Sequence, residues 1–106
     1  MWLLTTQGFY SVVEDRDDSR WLFVCARTRT DLEALRNQIT DIEAVESANA
    51  DYRWRARVLR EQWLAAAAQL ASEIDYPNFK DAVLERQGPK RSSLYMKVWL
   101  VLRRLG

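Results

Sequence analysis

Residues 52–58, Tyr-Arg-Trp-Arg-Ala-Arg-Val, alternate apolar side chains with arginines at a period of two. Successive side chains of an extended strand point to opposite faces, so this pattern predicts a half-buried strand. One face would carry Tyr52, Trp54, Ala56 and Val58, and the other would carry Arg53, Arg55 and Arg57. A slip of one residue would bury three unpaired guanidinium groups, each at a cost of several kcal/mol, so the register is strongly specified.

Upstream of this strand the sequence predicts a β-hairpin. Residues 8–14 and 21–28 are rich in aromatic and β-branched side chains, and residues 15–20 between them are all polar. This pattern is typical of two strands joined by a turn. Residues 2–6 form either a separate strand that turns at Gly8 or the beginning of one long first strand that bends there. We favour the long bent strand.

A helix is predicted between the hairpin and residues 52–58. Residues 30–33, Thr-Asp-Leu-Glu, match a capping box, in which Thr30 and Glu33 satisfy backbone N–H groups at the start of a helix. The apolar side chains that follow lie three or four residues apart and would pack as one stripe. They are Leu32, Leu35, Ile39 and Ile42. Residues 41–51 have no sustained period and predict a solvated loop.

Three further helices are predicted, over residues 60–74, over residues 78–87 and after Pro89. The third would line the core with Leu94, Val98, Val101, Leu102 and Leu105. The order β-β-α-β-α-α-α, with a right-handed strand–helix–strand crossover, predicts the α+β class. We expect a mixed sheet of three strands, or of four if residues 2–6 pair separately, with helices packed on one face.

Length and composition restrict the class of protein. A chain of 106 residues has the size of one domain, residues 1–106, and can bury about two-thirds of its surface. It contains no histidine, which removes His-based catalysis and most zinc sites, and its single Cys25 is expected to be a buried, inert thiol. The first residues lack a signal-peptide pattern, and no apolar run has the length of a membrane span. We therefore expect a cytoplasmic protein without a metal, a cofactor or a membrane partner.

Charge is distributed unevenly along the chain. Residues 1–75 contain 9 basic and 13 acidic side chains, and residues 76–106 contain 7 basic and 2 acidic ones, so the two parts carry net charges of −4 and +5. The basic part could meet an acidic surface or nucleic acid, or the two parts could attract each other within the fold. We favour the second interpretation because the net charge of the whole chain is only +1.

Several segments resemble a widespread family of short uncharacterised bacterial proteins. Residues 1–13 (Met-Trp-Leu-Leu-Thr-Thr-Gln-Gly-Phe-Tyr-Ser-Val-Val), 50–53 (Ala-Asp-Tyr-Arg) and 74–80 (Ile-Asp-Tyr-Pro-Asn-Phe-Lys) carry the resemblance, together with Tyr95 and the pair Val98-Trp99. The resemblance spans nearly the whole chain and implies a single cytoplasmic domain. It implies no activity and assigns no catalytic residue.

The predicted row of Arg53, Arg55 and Arg57 is the best candidate for a functional site. Alternate residues of a strand lie about 6.8 Å apart, within the roughly 8 Å Debye length at physiological salt, so the three cations act together. Trp21 at a strand end and Arg27 complete the candidate partner-binding set, because tryptophan beside arginine is typical of binding hot spots.

Three interpretations of this row are open. Arginine forks could bind the carboxylates of an acidic protein surface. They could instead bind the phosphates of RNA or single-stranded DNA, with Phe9 or Phe23 stacking on bases if these rings share the face. The third interpretation is a solvated face whose arginines pair with Glu14 or another acid across the strands.

Two other polar clusters are weaker candidates. The carboxylates at positions 14, 15, 17 and 18 could bind a divalent cation, but they lack the pattern of a calcium loop, and a solvated turn is favoured. In residues 75–80, Asp75 could act in acid–base chemistry with Tyr76 or Lys80. The favoured interpretation of this segment is a corner in which Asn78 or Asp75 caps the following helix.

The residues therefore favour a non-enzymatic interaction protein that docks an acidic partner surface through the arginine-bearing sheet face. The alternative is RNA or single-stranded DNA binding by the same face. A further alternative is an inhibitor of a host complex encoded by a phage or mobile element.

Overall fold

Five β-strands and four α-helices are present in the computed structural model, which describes all 106 residues. The strands are β1 (Trp2–Leu4), β2 (Phe9–Glu14), β3 (Trp21–Ala26), β4 (Val45–Glu46) and β5 (Trp54–Leu59). The helices are α1 (Arg29–Ala34), α2 (Arg60–Ser72), α3 (Phe79–Gln87) and α4 (Pro89–Leu102), with short 3-10 turns at Leu35–Asn37 and Arg103–Leu105. The predicted α+β class is confirmed.

The chain folds into two compact units. The sheet unit comprises Met1–Leu3 and Gly8–Ile74, and the helical unit comprises Leu4–Gln7 and Asp75–Gly106. The first unit contains α1, α2 and nearly all of the sheet, and the second contains α3 and α4.

The sheet has the strand order β1-β2-β3-β5-β4, and its paired neighbours run antiparallel. The predicted mixed sheet of three or four strands is therefore wrong in strand number and in strand direction. Met1 and Val12 exchange backbone hydrogen bonds of 2.8 Å, which is the pattern of an antiparallel pair. The chain thus turns between β1 and β2, and the favoured single bent strand is also wrong.

The predicted right-handed crossover fails because the chain re-enters the sheet at the end where it left. Ala26, the last residue of β3, lies opposite Trp54, the first residue of β5. Before β5, the chain forms β4, which pairs with β5 through Val45 opposite Arg55. The predicted loop over residues 41–51 therefore contains a strand, but two exposed residues are too few to produce a period in the sequence.

The core of the sheet unit lies between α1, α2 and one face of the sheet, which we call the inner face. The predicted register of β5 is confirmed there, because Ala56 and Val58 are buried and Trp54 packs against the same cluster. The predicted helical stripe is also buried. It consists of Leu32, Leu35, Ile39 and Ile42. Arg55 and Arg57 consequently point away from the core.

Helix α1 begins two residues earlier than predicted. The hydroxyl of Thr28 accepts a hydrogen bond from the backbone N–H of Asp31 at 3.1 Å, so Thr28 is the N-cap and not Thr30. Asp31 is buried, and its carboxylate accepts a hydrogen bond from the backbone N–H of Phe9 at 3.0 Å. The buried carboxylate thereby ties the start of the helix to β2.

The helical unit is a pair of helices separated by Gly88, which has a φ of 89°. The side chain of Asn78 caps α3 by accepting from the backbone N–H of Asp81 at 3.0 Å, which confirms the predicted cap. Phe79 of α3 stacks on Tyr95 of α4 with ring centroids 5.9 Å apart. No helix of the chain combines the length and the apolar character needed to cross a bilayer.

One prediction for α4 is wrong. The stripe predicted to line the core is exposed to solvent, with relative exposures between 40% and 87%. Its members are Leu94, Val98, Val101, Leu102 and Leu105. The buried apolar residues of this unit are instead Ala82, Val83 and Tyr95.

Candidate functional site

The candidate site is the outer face of the sheet, which is the face opposite the core. The register places residues of β2, β3, β4 and β5 on it. They are Ser11, Val13, Trp21, Phe23, Cys25, Val45, Arg55, Arg57 and Leu59, and the alternation along β2 adds Phe9. Aromatic rings and guanidinium groups thus share one surface.

Arg57 on the outer face is paired with an acid of the same chain. Its Nε lies 2.8 Å from an Oδ of Asp15, which is itself buried. The other Oδ of Asp15 accepts a hydrogen bond from the backbone N–H of Asp17 at 2.9 Å. This bond and the bond from Arg57 hold the pKa of Asp15 below its usual range. The guanidinium also lies over the ring of Trp21, 4.2 Å from its centroid. The charge of Arg57 is therefore largely neutralised within the fold.

Arg53 is also paired and does not belong to the strand. It precedes β5, and its Nε donates to Glu46 of β4 at 2.7 Å. The predicted row of three strand arginines therefore contains only Arg55 and Arg57. Glu46 could not be identified as the partner from the sequence, because β4 has no recognisable strand pattern.

Tyr52 departs from the predicted alternation and lies near Arg27. Tyr52 also precedes β5, and its ring contacts Phe9 with centroids 6.2 Å apart, so it is not part of the inner face. The guanidinium of Arg27 lies 4.7 Å from the centroid of the Tyr52 ring and pairs with Asp51 at 3.1 Å. The predicted site residue Arg27 thus has an acidic partner of its own.

Arg55 differs from its neighbours because no carboxylate pairs with it. Its guanidinium lies over the ring of Phe23, 5.0 Å from the centroid, and it stands opposite Cys25 in the register. The Nε of Arg55 is buried and has no hydrogen-bond partner. An unsatisfied buried donor costs about 1–3 kcal/mol, and more when it is charged. The fold therefore places on the outer face, next to the short edge strand β4, a cation that pairs with no carboxylate of the chain.

Cys25 lies beneath this part of the outer face with 3% of its surface exposed. Burial raises the pKa of its thiol, and the adjacent positive charge of Arg55 offsets part of that effect. A thiol with a raised pKa is a poor nucleophile at neutral pH. This environment agrees with the predicted inert thiol.

The aromatic side chains of the outer face remain partly accessible. Trp2 is 71% exposed, and its ring meets the Phe9 ring edge to face with centroids 6.1 Å apart. Trp21 and Phe23 are half-buried beneath the guanidinium groups that cover them. Phe9 and Phe23 lie on the same face as Arg55, as the hypothesis of base stacking requires.

Three of the four carboxylates at positions 14, 15, 17 and 18 form ion pairs within the chain. Asp18 binds Arg20, whose side chain and backbone N–H lower the pKa of Asp18 to about 2. Glu14 pairs with Arg60 at 2.7 Å. The chain contains no group of three or more acidic or cysteine side chains placed to hold a metal ion.

The segment from Asp75 to Lys80 likewise uses its polar groups locally. Asp75 forms an ion pair with Arg86, which lowers the pKa of Asp75. Lys80 lies 4.9 Å from the centroid of the Trp99 ring. A general acid at neutral pH needs a raised carboxyl pKa, so this environment does not favour Asp75 in that role.

Comparison with protein-family models, curated proteins and solved structures finds no match for this chain. The resemblance to short bacterial proteins therefore stays a prediction.

Proposed function

We propose that this chain is a non-enzymatic interaction protein whose outer face docks an acidic segment of a protein partner. The single observation that carries the proposal is Arg55, a cation of the outer face without a carboxylate partner. A carboxylate from the partner would supply the missing counter-charge, and charge-assisted pairs of this kind are about twice as strong as neutral hydrogen bonds.

The surroundings of Arg55 support this role. Trp, Tyr and Arg are enriched among residues that dominate binding energy, and such residues occupy the centre of an interface. The stacking of Arg55 on Phe23 orients the guanidinium before binding, which lowers the entropy lost on association. Exposed apolar side chains lie at the margins of the face, with Val13 at 49% and Val45 at 55% exposure.

This proposal assigns binding mainly to one arginine, whereas the sequence-based hypothesis assigned it to several. Arg53, Arg57 and Arg27 are paired with Glu46, Asp15 and Asp51. We assign these three arginines mainly to holding the face in shape, and Trp21 to the rim beside Arg57. Arg55 is the residue on which binding depends most.

The test is affinity capture from native lysate with three tagged proteins. Wild type and the control variant Arg16→Gln should recover the same partner, because Arg16 is an exposed cation of the β2–β3 turn outside the outer face. Arg55→Gln should lose it, with the affinity of the purified pair falling about tenfold or more. Recovery of identical partners by all three proteins would contradict the proposal.

A second candidate function is binding of single-stranded nucleic acid by the same face. It is favoured by the placement of Phe9 and Phe23 on the same face as Arg55, since bases stack on aromatic rings while cations meet the phosphates. A labelled oligothymidylate titrated at several salt concentrations distinguishes the two candidates. Nucleic-acid binding requires a linear fall of log affinity with log salt, whereas a flat response removes this candidate.

The remaining expectations accompany the main proposal. No catalytic residue and no cofactor are assigned, and the cytoplasmic location, the single domain and the absence of a membrane partner stay predictions. An inhibitor of a host complex, encoded by a phage or mobile element, would be one instance of the same docking role.

A further inference from the structure

A second surface for a partner lies on α4, in the helical unit. Leu94, Val98 and Val101 are spaced by four and three residues, so they lie on one side of the helix. They are 50%, 40% and 61% exposed. Leu105, in the 3-10 turn after α4, continues the same spacing and is 87% exposed. We call these four residues the α4 stripe.

The α4 stripe is a row of exposed apolar side chains. The adjacent Leu102, which is 55% exposed, extends it. The largest exposed apolar patch of a monomeric protein is often a functional surface. The stripe also has the length of about three helical turns, which suits a partner helix lying along it.

Charge selects the kind of partner. Residues 89–106 contain five basic side chains and no carboxylate. Lys90, Lys97 and Arg104 follow one another at intervals of seven residues. Lys97 directly precedes Val98, Arg104 directly precedes Leu105, and Lys90 lies one heptad before Lys97. In coiled-coil terms, the α4 stripe occupies positions a and d, and these three cations occupy position g. Residues at g choose the partner helix through their charge.

A second copy of this chain does not complement this pattern. Two antiparallel α4 helices would place the cations at g opposite each other, and like charges at these positions are destabilising. Two parallel α4 helices would place Lys97 opposite Leu102, which leaves the cation without a counter-charge. A helix with carboxylates at the facing positions satisfies all three cations.

We propose that α4 pairs with an amphipathic helix of a protein partner, a helix that carries an apolar stripe flanked by glutamate or aspartate. The α4 stripe supplies the apolar contact, and Lys90, Lys97 and Arg104 select the acidic flank. This surface contains no residue of the outer face, so the inference does not rest on the docking role proposed for that face.

The experiment uses the full chain and two synthetic three-heptad peptides with leucine at a and d. One peptide carries glutamate at e and g, and the other carries lysine there. Fluorescence anisotropy of the labelled peptides should show the glutamate peptide binding about tenfold or more tightly than the lysine peptide at physiological salt. The charge-reversed variant Lys97→Glu should reduce that preference.

Matched variants separate the apolar contact from general charge attraction. The double variant Val98→Ser and Val101→Ser keeps every cation and should weaken binding of the glutamate peptide about tenfold or more. Leu84→Ser, on α3, removes an equally exposed leucine outside the α4 stripe and should leave binding unchanged. All three positions are exposed, so the variants should keep the wild-type circular dichroism spectrum. Arg55→Gln should also leave peptide binding unchanged.

Several results would overturn the inference. Equal binding of the two peptides, or equal losses in the α4 and Leu84 variants, would reduce the effect to nonspecific attraction. Self-association of the chain in sedimentation, abolished by the Val98 and Val101 substitutions, would make a second copy the occupant. Binding to phosphatidylserine vesicles without binding to either peptide would make the occupant a lipid surface.

Discussion

The sheet unit and the helical unit dispose of their apolar side chains in opposite ways. In the sheet unit, Tyr10, Val24, Leu32 and Leu35 are fully buried around one continuous core. In the helical unit, the apolar stripe of α4 lies in water. Apolar area that is buried stabilises the fold by about 25 cal/mol per Å², whereas exposed area contributes nothing until a partner covers it. The comparison separates a unit that stabilises itself from a unit with surface left for a partner.

Charged groups differ between the strands of the sheet and the last helix, although the helical unit contains the ion pair of Asp75 with Arg86. In the sheet unit, Arg57 and Arg60 are paired with Asp15 and Glu14. In the helical unit, the cations Lys90, Lys97 and Arg104 of the α4 region form no ion pair within the chain. Arg55 is the arginine of the outer face without such a pair, and for that reason it is the centre of our proposal for that face.

The largest expected effect tests the difference in burial. Leu35→Ala removes a side chain with no solvent exposure and should lower the free energy of unfolding by about 2–5 kcal/mol. Leu100→Ala, in α4, removes a leucine that is 50% exposed and should change it by less than about 1 kcal/mol. Urea denaturation followed by circular dichroism measures both. Equal losses would show that α4 is as well packed as the core and would break the comparison.

A smaller effect is expected at two glycines, one in each unit. A Cβ at Gly8 would lie 2.7 Å from the hydroxyl oxygen of Tyr10 and 3.0 Å from the Cβ of Asp31. Both neighbours are buried and cannot move freely, so Gly8→Ala should destabilise the protein by about 1–3 kcal/mol. At Gly88 a Cβ meets no atom within 4 Å, but the φ of 89° and ψ of 175° are essentially restricted to glycine, so Gly88→Ala should cost about 1–3 kcal/mol through backbone strain.

Thermal denaturation of the two glycine variants ranks them. Gly106→Ala is the control, because a Cβ there meets open space at an ordinary φ. Gly8→Ala tests packing and Gly88→Ala tests backbone conformation, so an unchanged melting temperature for Gly8→Ala would mean that Tyr10 and Asp31 are loosely packed, against the comparison.

The smallest effect concerns acid. The pKa values of Asp15 and Asp18 in the sheet unit are lowered in the fold, and that of Asp18 falls from 3.8 to about 2. A lowered pKa means that the charged form stabilises the folded state above the ordinary pKa. That stabilisation is lost as the pH falls from about 4 towards 2.

The measurement is the difference in unfolding free energy between wild type and Asp18→Asn, taken by urea denaturation at several pH values. The difference should be constant near neutral pH and should shrink between about pH 4 and pH 2. Asp75→Asn, which breaks the pair with Arg86, gives the corresponding difference for the helical unit. A difference for Asp18→Asn that does not change with pH would show that the turn carboxylate is not stabilised by Arg20.

The elements whose side chains alternate or repeat strongly could be predicted from the sequence. The inner face of β5 and the burial of the apolar residues from Leu32 to Ile42 were predicted correctly, because misplacing either would expose apolar groups or bury charges. The helix predicted to carry these residues is wrong in length, since α1 ends at Ala34 and the 3-10 turn ends at Asn37, before Ile39 and Ile42. Strand β4 could not be predicted, since two exposed residues carry no period. The strand directions depend on where the chain returns to the sheet, which is a property of the β4–β5 hairpin and not of the single strands.

The candidate site was predicted in outline only. Alternation placed Arg55 and Arg57 together on one face, but Asp15, the partner of Arg57, lies 42 residues away in sequence. Long-range ion pairs leave no local pattern, so the sequence could not distinguish the free Arg55 from its neutralised neighbours. The stripe of α4 had the spacing of a core helix, and spacing alone does not tell whether a partner or the chain itself covers it.

The reactivity of Cys25 can report how often the outer face opens locally in solution. It is the chain's only thiol, it is buried, and it stands opposite Arg55. A maleimide reagent can attack it only when β3 and the side chains above it move apart, so the alkylation rate reports the free energy of that local excursion. A ligand bound at Arg55 and Phe23 should slow alkylation in proportion to its occupancy. The alkylation rate of Cys25 would then measure binding to the outer face.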